Sequence, residues 1–169
     1  DTDDKSIPQR AGWNQPTVLF LGRMTIQKGP EYFVHAAQKV LSHNPNVQFV
    51  MVGSGDKLPD VINLAADLGI SDKILFTGAL RGEDVNRAFS MADLFVMPSV
   101  SEPFGLVALE AMHNGTPAII SKQSGVSEVM RHCMQADFWD VDKMANLIAT
   151  SLQHTAVLDE LKHNGKKEI

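Results

Sequence analysis

The chain has 169 residues, of which 44% are hydrophobic and 21% charged, and its formal net charge is −5. This is the composition of one globular domain, long enough to bury about two-thirds or more of its unfolded surface, and its acidity argues against non-specific binding to nucleic acid or an anionic membrane. No apolar run approaches the roughly 18 residues that a membrane span needs, and a single cysteine, Cys133, rules out an internal disulfide framework and fits a reducing cytoplasm.

Residues 1–16 show no hydrophobic periodicity and contain Pro8, Gly12 and Pro16. They read as a linker, with Trp13 a candidate to pack back on the domain. The start, Asp1-Thr2-Asp3-Asp4-Lys5, is polar and has none of the apolar stretch of a secretory signal. Residues 17–169 read as one domain in which strands and helices alternate. Thr17 to Leu21 is a strand candidate. Pro30 suits a helix start, where its missing N–H costs nothing, and Tyr32 to Leu41 continues that helix. Val47 to Val52 is a second strand, stopped by Gly53-Ser54-Gly55, and Leu58 to Leu68 a helix ended by Gly69. Ile74 to Thr77 and then Gly82 to Met91 form the next strand and helix. Asp93 to Pro98 is a fourth strand, Gly105 to His113 a helix, and Ala118 to Ser121 a fifth strand. A short helix is predicted from Val126, a last strand at residues 138–139, and helices near Val141–Leu152 and Ala156–His163.

Strands that are apolar throughout, rather than alternating, imply a sheet covered on both faces. Their alternation with helices predicts a parallel, doubly wound, Rossmann-like α/β sheet of about six strands with helices on both faces. Right-handed crossovers reduce the topology most simply to strand order 3-2-1-4-5-6. The first and fourth strands are then neighbours where the winding reverses, and ligands bind beyond the carboxyl ends of such strands. Arg23 follows the first strand and Glu102 the fourth, so these residues converge on topology alone.

The stretch Ser99 to Met112 carries the most information. A buried strand feeds a polar turn with Gly105, which opens onto a helix. The first N–H groups of a helix have no partner within it and face the positive end of its dipole, which makes a ready anion site. Glu102 precedes that helix, and Glu110 lies about two turns into it, roughly 8 Å further along the axis. Neither acid can share the anion pocket without repelling its contents. Each suits hydroxyl groups at either end of a ligand with a phosphate middle, as in a nucleotide-sugar. In the loop after the first strand, Arg23 can clamp phosphate oxygens bidentately and Lys28 supplies a compact charge. Gly53-Ser54-Gly55 lacks a third glycine and is a poor dinucleotide fingerprint. His35, His43, His113, His132, His154 and His163 show no metal-ligand spacing, and Asp1-x-Asp3 reads as surface charge.

Glutamate, seven residues, then glutamate, within S-E-P-F-G-L-V-A-L-E-A-M, resembles the donor-site motif of retaining glycosyltransferases of the two-domain GT-B type, family 4. The resemblance extends through Gly22-Arg23, Lys28-Gly29, Val52 to Gly55, Phe76-Thr77-Gly78, Ala92 to Pro98 and Gly115-Thr116-Pro117, in the family's order. It implies that Arg23 and Lys28 grip the donor diphosphate, with Gly22 in the same loop. Backbone groups of Phe104, Gly105, Leu106 and Val107 would serve the diphosphate and sugar, their side chains packing away. Glu102 would reach hydroxyls of the transferred sugar, and Glu110, with some burial, the ribose. Main-chain groups around Gly78 and Leu80 would read the base, and Gly53 and Ser54 either line the same rim or simply end their strand. The implied donor is a UDP-, GDP- or ADP-linked sugar bound with neither cofactor nor metal.

The resemblance also implies that the chain begins in the inter-domain linker, is one half of a GT-B enzyme, and works against an N-terminal acceptor domain. Alone it should bind donor weakly without turnover. Ser124-Gly125 stands where the family often has paired glycines, and Gln135 to Trp139 lacks the usual glycine-rich turn; both concern the sugar pocket. Half of a sugar-nucleotide epimerase, a non-catalytic nucleotide-binding module and a flavodoxin-like signalling domain are the alternative readings.

Overall fold

The computed structural model describes residues 15–125 and 133–153. The predicted Val126 and Ala156–His163 helices, Trp13 and nearly all of the 1–16 linker lie outside these residues.

Six strands form one parallel sheet in the order β3-β2-β1-β4-β5-β6. They are β1 (Thr17–Leu21), β2 (Gln48–Val52), β3 (Ile74–Gly78), β4 (Leu94–Met97), β5 (Ala118–Ser121) and β6 (Met134–Ala136). The helices between and after them are α1 (Pro30–His43), α2 (Leu58–Asp67), α3 (Glu83–Met91), α4 (Leu106–His113) and α5 (Val141–Gln153). The predicted α/β Rossmann-like sheet and its strand order are the observed ones, with element ends shifted by a residue or two.

The last strand differs. It is Met134–Ala136, pairing with Ile119 to Ser121 of β5, and not residues 138–139. Phe138 and Trp139 favour a strand by side-chain type, but they form the turn after it. There Phe138 packs edge-on against Tyr32 with centroids 5.3 Å apart, its N–H donates to Gln123 Oε1 at 3.1 Å, and Trp139 stays exposed. Tertiary contacts override strand propensity here.

α1 shows why these segments become these elements. Gly29 enters with φ 63°, Pro30 occupies the first turn, Glu31 lies near the positive end and His43 near the negative one. Phe33, Val34, Ala36, Ala37 and Val40 form its buried stripe, which packs with α2 and α5 on one face of the sheet. Phe33 lies edge-on to Phe20 of β1 and Phe49 of β2, at 5.6 and 5.7 Å. α3 and α4 cover the other face, where Phe89 meets Phe95 at 5.5 Å. Fully burying each such ring stabilises the fold by about 1.5–3 kcal/mol. Asp93 fixes the start of the β1–β4 pair: its N–H donates to the Thr17 carbonyl, and its Oδ2 accepts from the Thr17 N–H, both at 2.8 Å.

The sheet's carboxyl edge is held by close backbone approaches. A Cβ on Gly53 (φ 142°) would lie 1.8 Å from the Gly22 carbonyl oxygen, which only glycine avoids. At Gly69 (φ 74°) nothing lies within 4 Å, so only the backbone conformation resists a side chain. Gly53→Ala is therefore expected to cost roughly 2–4 kcal/mol, and Gly69→Ala about 1 kcal/mol. Urea unfolding of both variants tests this; equal costs would show that the loops after β1 and β2 do not depend on this contact.

Candidate functional site

Three loops meet beyond the carboxyl ends of β2, β1 and β4. The middle one, residues 22–29, is hydrogen-bonded to both neighbours. On one side the Gly22 N–H donates to the Val52 carbonyl, Met24 N–H to Ser54 and Lys57 N–H to Met24. On the other, the N–H groups of Val100 and Ser101 donate to the Gln27 carbonyl at 2.8 and 3.3 Å. Gly29 permits the second approach, since a Cβ there would lie 2.2 Å from the Pro98 carbonyl oxygen.

This stitching brings Lys28 to Glu102. The Lys28 ammonium donates to Glu102 Oε2 in a partly buried ion pair. The second carboxylate oxygen, Oε1, accepts the Gly105 N–H at 3.3 Å. Gly105 is the N-cap of α4, in the left-handed conformation (φ 63°), and as a glycine brings no capping side chain of its own. Cation, carboxylate and helix N-terminus thus share one corner. Glu102 is 8% exposed, and its backbone is fastened to the loop after β5. It forms a parallel bridge with Ser124, and its carbonyl accepts the Gly125 N–H at 2.7 Å. The expectation that Glu102 stays clear of the anion pocket is corrected: its carboxylate already takes part of the positive end of α4, and Lys28 neutralises it there.

Burial alone would push the Glu102 carboxyl up. The hydrogen bond and charge of Lys28, with the N–H groups of Gly105 and Phe104, outweigh burial and hold it below the ordinary 4.5.

The remaining predicted residues fall around this corner with different exposures. Arg23 is exposed in the same loop as Lys28 and makes no ion pair among the described residues. Gly22 lies under Gly53. Leu80, after β3, is half-buried against the α3–α4 layer, and Val107 is half-buried beside it on that face. Phe104 and Leu106 do not pack away as expected, being 72% and 61% exposed. Glu110 is exposed too, rather than partly buried. One periodicity explains both Leu106 and Glu110. Ala108, Ala111 and Met112 are the face α4 turns to the sheet, which leaves Leu106, Glu110 and His113 as the outer stripe at i, i+4 and i+7. Glu110 has apolar sequence neighbours, but they point the other way.

Sequence reasoning missed Ser99 and Ser124. The two residues are 0% and 3% exposed, and both hydroxyls lack a hydrogen-bond partner among the described residues. Ser124 was visible only as a departure from paired glycines. Among the described residues no group of three or more His, Cys, Asp or Glu could hold a metal ion, and no helix is long and apolar enough to cross a membrane. A hollow of about 430 Å³ lined by Lys39, His43, Asp142 and Asn146 lies between α1 and α5. It includes Val47, just before β2, and so sits at the opposite edge of the sheet. A smaller hollow of about 220 Å³, with Thr25, Ile26, Gly29, Lys57 and Val100 in its lining, lies against the middle loop of the three-loop corner.

The model of the family described as glycosyl transferases group 1 matches residues 2–168. The chain belongs to the group 1 glycosyltransferases. An uncharacterized glycosyltransferase of Methanocaldococcus jannaschii is 35% identical over 160 residues, covering 92% of this chain and 40% of that protein. The structure of a sucrose-phosphate synthase from Thermosynechococcus elongatus matches with a TM-score of 0.84 and 29% identity, over 99% of this chain and 45% of the other. The Anabaena protein HepE, in complex with UDP-glucose, shares the fold with a TM-score of 0.84 at 23% identity, over 91% and 43%. This group 1 chain therefore spans less than half the length of these relatives.

Because Glu102 is held below its ordinary value, its ionised form favours the folded state. That contribution is present above about pH 4.5 and is lost as pH falls through the lower folded-state value. Wild-type stability, measured by urea unfolding between pH 7 and 3, should decline more steeply below about pH 4.5 than that of Glu102→Gln. Identical acid limbs would mean the ion pair contributes nothing to folding.

Proposed function

We propose that this chain is the nucleotide-sugar-binding half of a two-domain GT-B, family 4, retaining glycosyltransferase that moves a sugar from a nucleoside diphosphate to an acceptor hydroxyl. The observation that carries this reading is the meeting of Lys28, from the loop after β1, with Glu102 and the Gly105 N–H at the mouth of α4. A cation and a helix N-terminus brought to one corner suit a diphosphate. The UDP-glucose complex of HepE, on the same fold, supports a donor of this kind.

In this reading, the bond between the anomeric carbon and the terminal phosphate oxygen breaks as negative charge builds on the leaving diphosphate. Lys28, Arg23 and the N–H groups of Leu106 and Val107 stabilise that charge where it develops. Fixed positive charge serves this step better than a proton donor, since the second ionisation of a phosphate lies near pH 6. The acceptor oxygen attacks from the face that the diphosphate leaves, and its proton departs with the nucleoside diphosphate. Glu102 orients the sugar through its hydroxyls and forms no covalent adduct. Glu110, on the outer stripe of α4, takes the ribose hydroxyls. Main-chain groups near Gly78 and Leu80 meet the base, which leaves UDP, GDP and ADP all open.

The diphosphate is neutralised here by side chains and the helix, without a metal or other cofactor. The acceptor is bound by an N-terminal domain beyond residues 1–16, so this chain binds donor but does not turn over by itself. A lone, buried Cys133 fits the reducing cytoplasm.

Calorimetric titration with UDP, GDP and ADP tests the reading. One of them should bind, and Lys28→Ala should weaken it by roughly 10–100-fold, the loss of a charge-assisted hydrogen bond worth about 1.5–3 kcal/mol. Unchanged affinity in the variant, or no binding by the wild type, would sink it.

A further inference from the structure

Lys28 has one ammonium and, once a donor arrives, two claimants. It is already bound to Glu102 Oε2, while Glu102 Oε1 takes a helix-mouth N–H that a phosphate would use. The ammonium has three N–H donors, so a diphosphate entering this corner shares Lys28 with the carboxylate and weakens the existing pair. Glu102 is 8% exposed, and a buried charge deprived of its counter-ion is strongly destabilising unless another partner arrives. Its backbone cannot retreat: a Cβ on Gly125 would lie 1.9 Å from the Pro103 carbonyl oxygen, so the loop after β5 is pressed onto this segment.

The same corner holds two further unmatched polar groups. The hydroxyls of Ser99 and Ser124 are the buried side-chain oxygens without a hydrogen-bond partner among the described residues. Ser124 is bridged to Glu102, and the Ser99 carbonyl accepts the Ser121 hydroxyl at 2.7 Å. Both therefore sit in the strand exits that frame the carboxylate. Buried polar groups without partners are rare enough in folded proteins to require a reason. A ligand bearing hydroxyls would supply the Glu102 carboxylate, the most accessible of the three, with donors.

Resting on the donor-site reading above, we propose that the Lys28–Glu102 pair makes the site select a nucleotide that still carries its sugar over the free nucleoside diphosphate. A sugar-bearing donor shares Lys28 but returns hydroxyl donors to Glu102. A free diphosphate shares Lys28 and returns nothing, leaving a buried carboxylate with a weakened counter-ion beside the ligand's negative charge. After transfer, the departing sugar removes the replacement partner, Glu102 reclaims Lys28, and the product is expelled.

The experiment is calorimetric titration of the chain with UDP against UDP-glucose, GDP against GDP-mannose and ADP against ADP-glucose. Wild type should bind the sugar form of its preferred base at least about tenfold more tightly than the free diphosphate. Glu102→Gln keeps an acceptor for the Gly105 N–H but releases Lys28. It should bind the free diphosphate about three- to tenfold more tightly than wild type, while the preference for the sugar form falls to within about twofold. A Glu102 that merely supports the loop would instead weaken both ligands in parallel, and that result overturns the proposal. So does a wild type that binds both forms equally, or a Glu102→Gln that keeps the preference. If a thermal melt shows Glu102→Gln unfolded, Glu102→Ala takes its place with the same opposed signs expected. A wild type that binds no nucleotide at all removes the donor site and this inference with it; binding lost in Lys28→Ala, with the wrong Glu102→Gln result, removes the inference alone.

Discussion

The whole site depends on one loop being wedged between two others. Residues 22–29 lie close enough to the loop after β2 and to the exit of β4 that Gly53 and Gly29 have no room for a Cβ. The backbone hydrogen bonds crossing these contacts leave little freedom for the loop to lift. Lys28 is consequently delivered to Glu102 across 74 residues of sequence. The site's precision comes from main chain on main chain, which is less compliant than contact between side chains.

The electrostatics at this corner balance internally. The positive end of α4 would attract an anion, and the chain supplies one of its own in Glu102, then neutralises it with Lys28. The carboxylate is more stable ionised than its burial alone would allow, because hydrogen bonds to the charged form outweigh desolvation. The partners at this corner are already engaged with one another, so in the proposed donor site binding is an exchange, and what the ligand gives back matters as much as what it takes.

The candidate site was unevenly legible. Lys28, Glu102 and Gly105 could be named because strand order is set by short connections and handedness, and strand order decides which loops are neighbours. Exposure was harder to read. Glu110 sits among Leu109, Ala111 and Met112 in the sequence, yet a helix sends successive residues to different sides, and α4 is apolar enough that its pattern does not say which side is inward. Phe104 and Leu106 are large and apolar yet stand exposed at the mouth of α4 among the described residues. The β6 position was misread for a related reason: Phe138 and Trp139 look like strand residues, while the turn that holds them depends on Tyr32 from α1.

The residue pattern was enough to give the alternation of strands and helices, the parallel sheet, the switch between β1 and β4, and hence which two loops carry the candidate site. All of these follow from local periodicity and chain connectivity. Only the tertiary structure decided that Lys28 and Glu102 are paired, that the carboxylate sits in the mouth of α4, and that Ser99 and Ser124 are buried without partners. Those facts depend on side-chain reach and on exclusion of water between segments far apart in the chain, which no local pattern records.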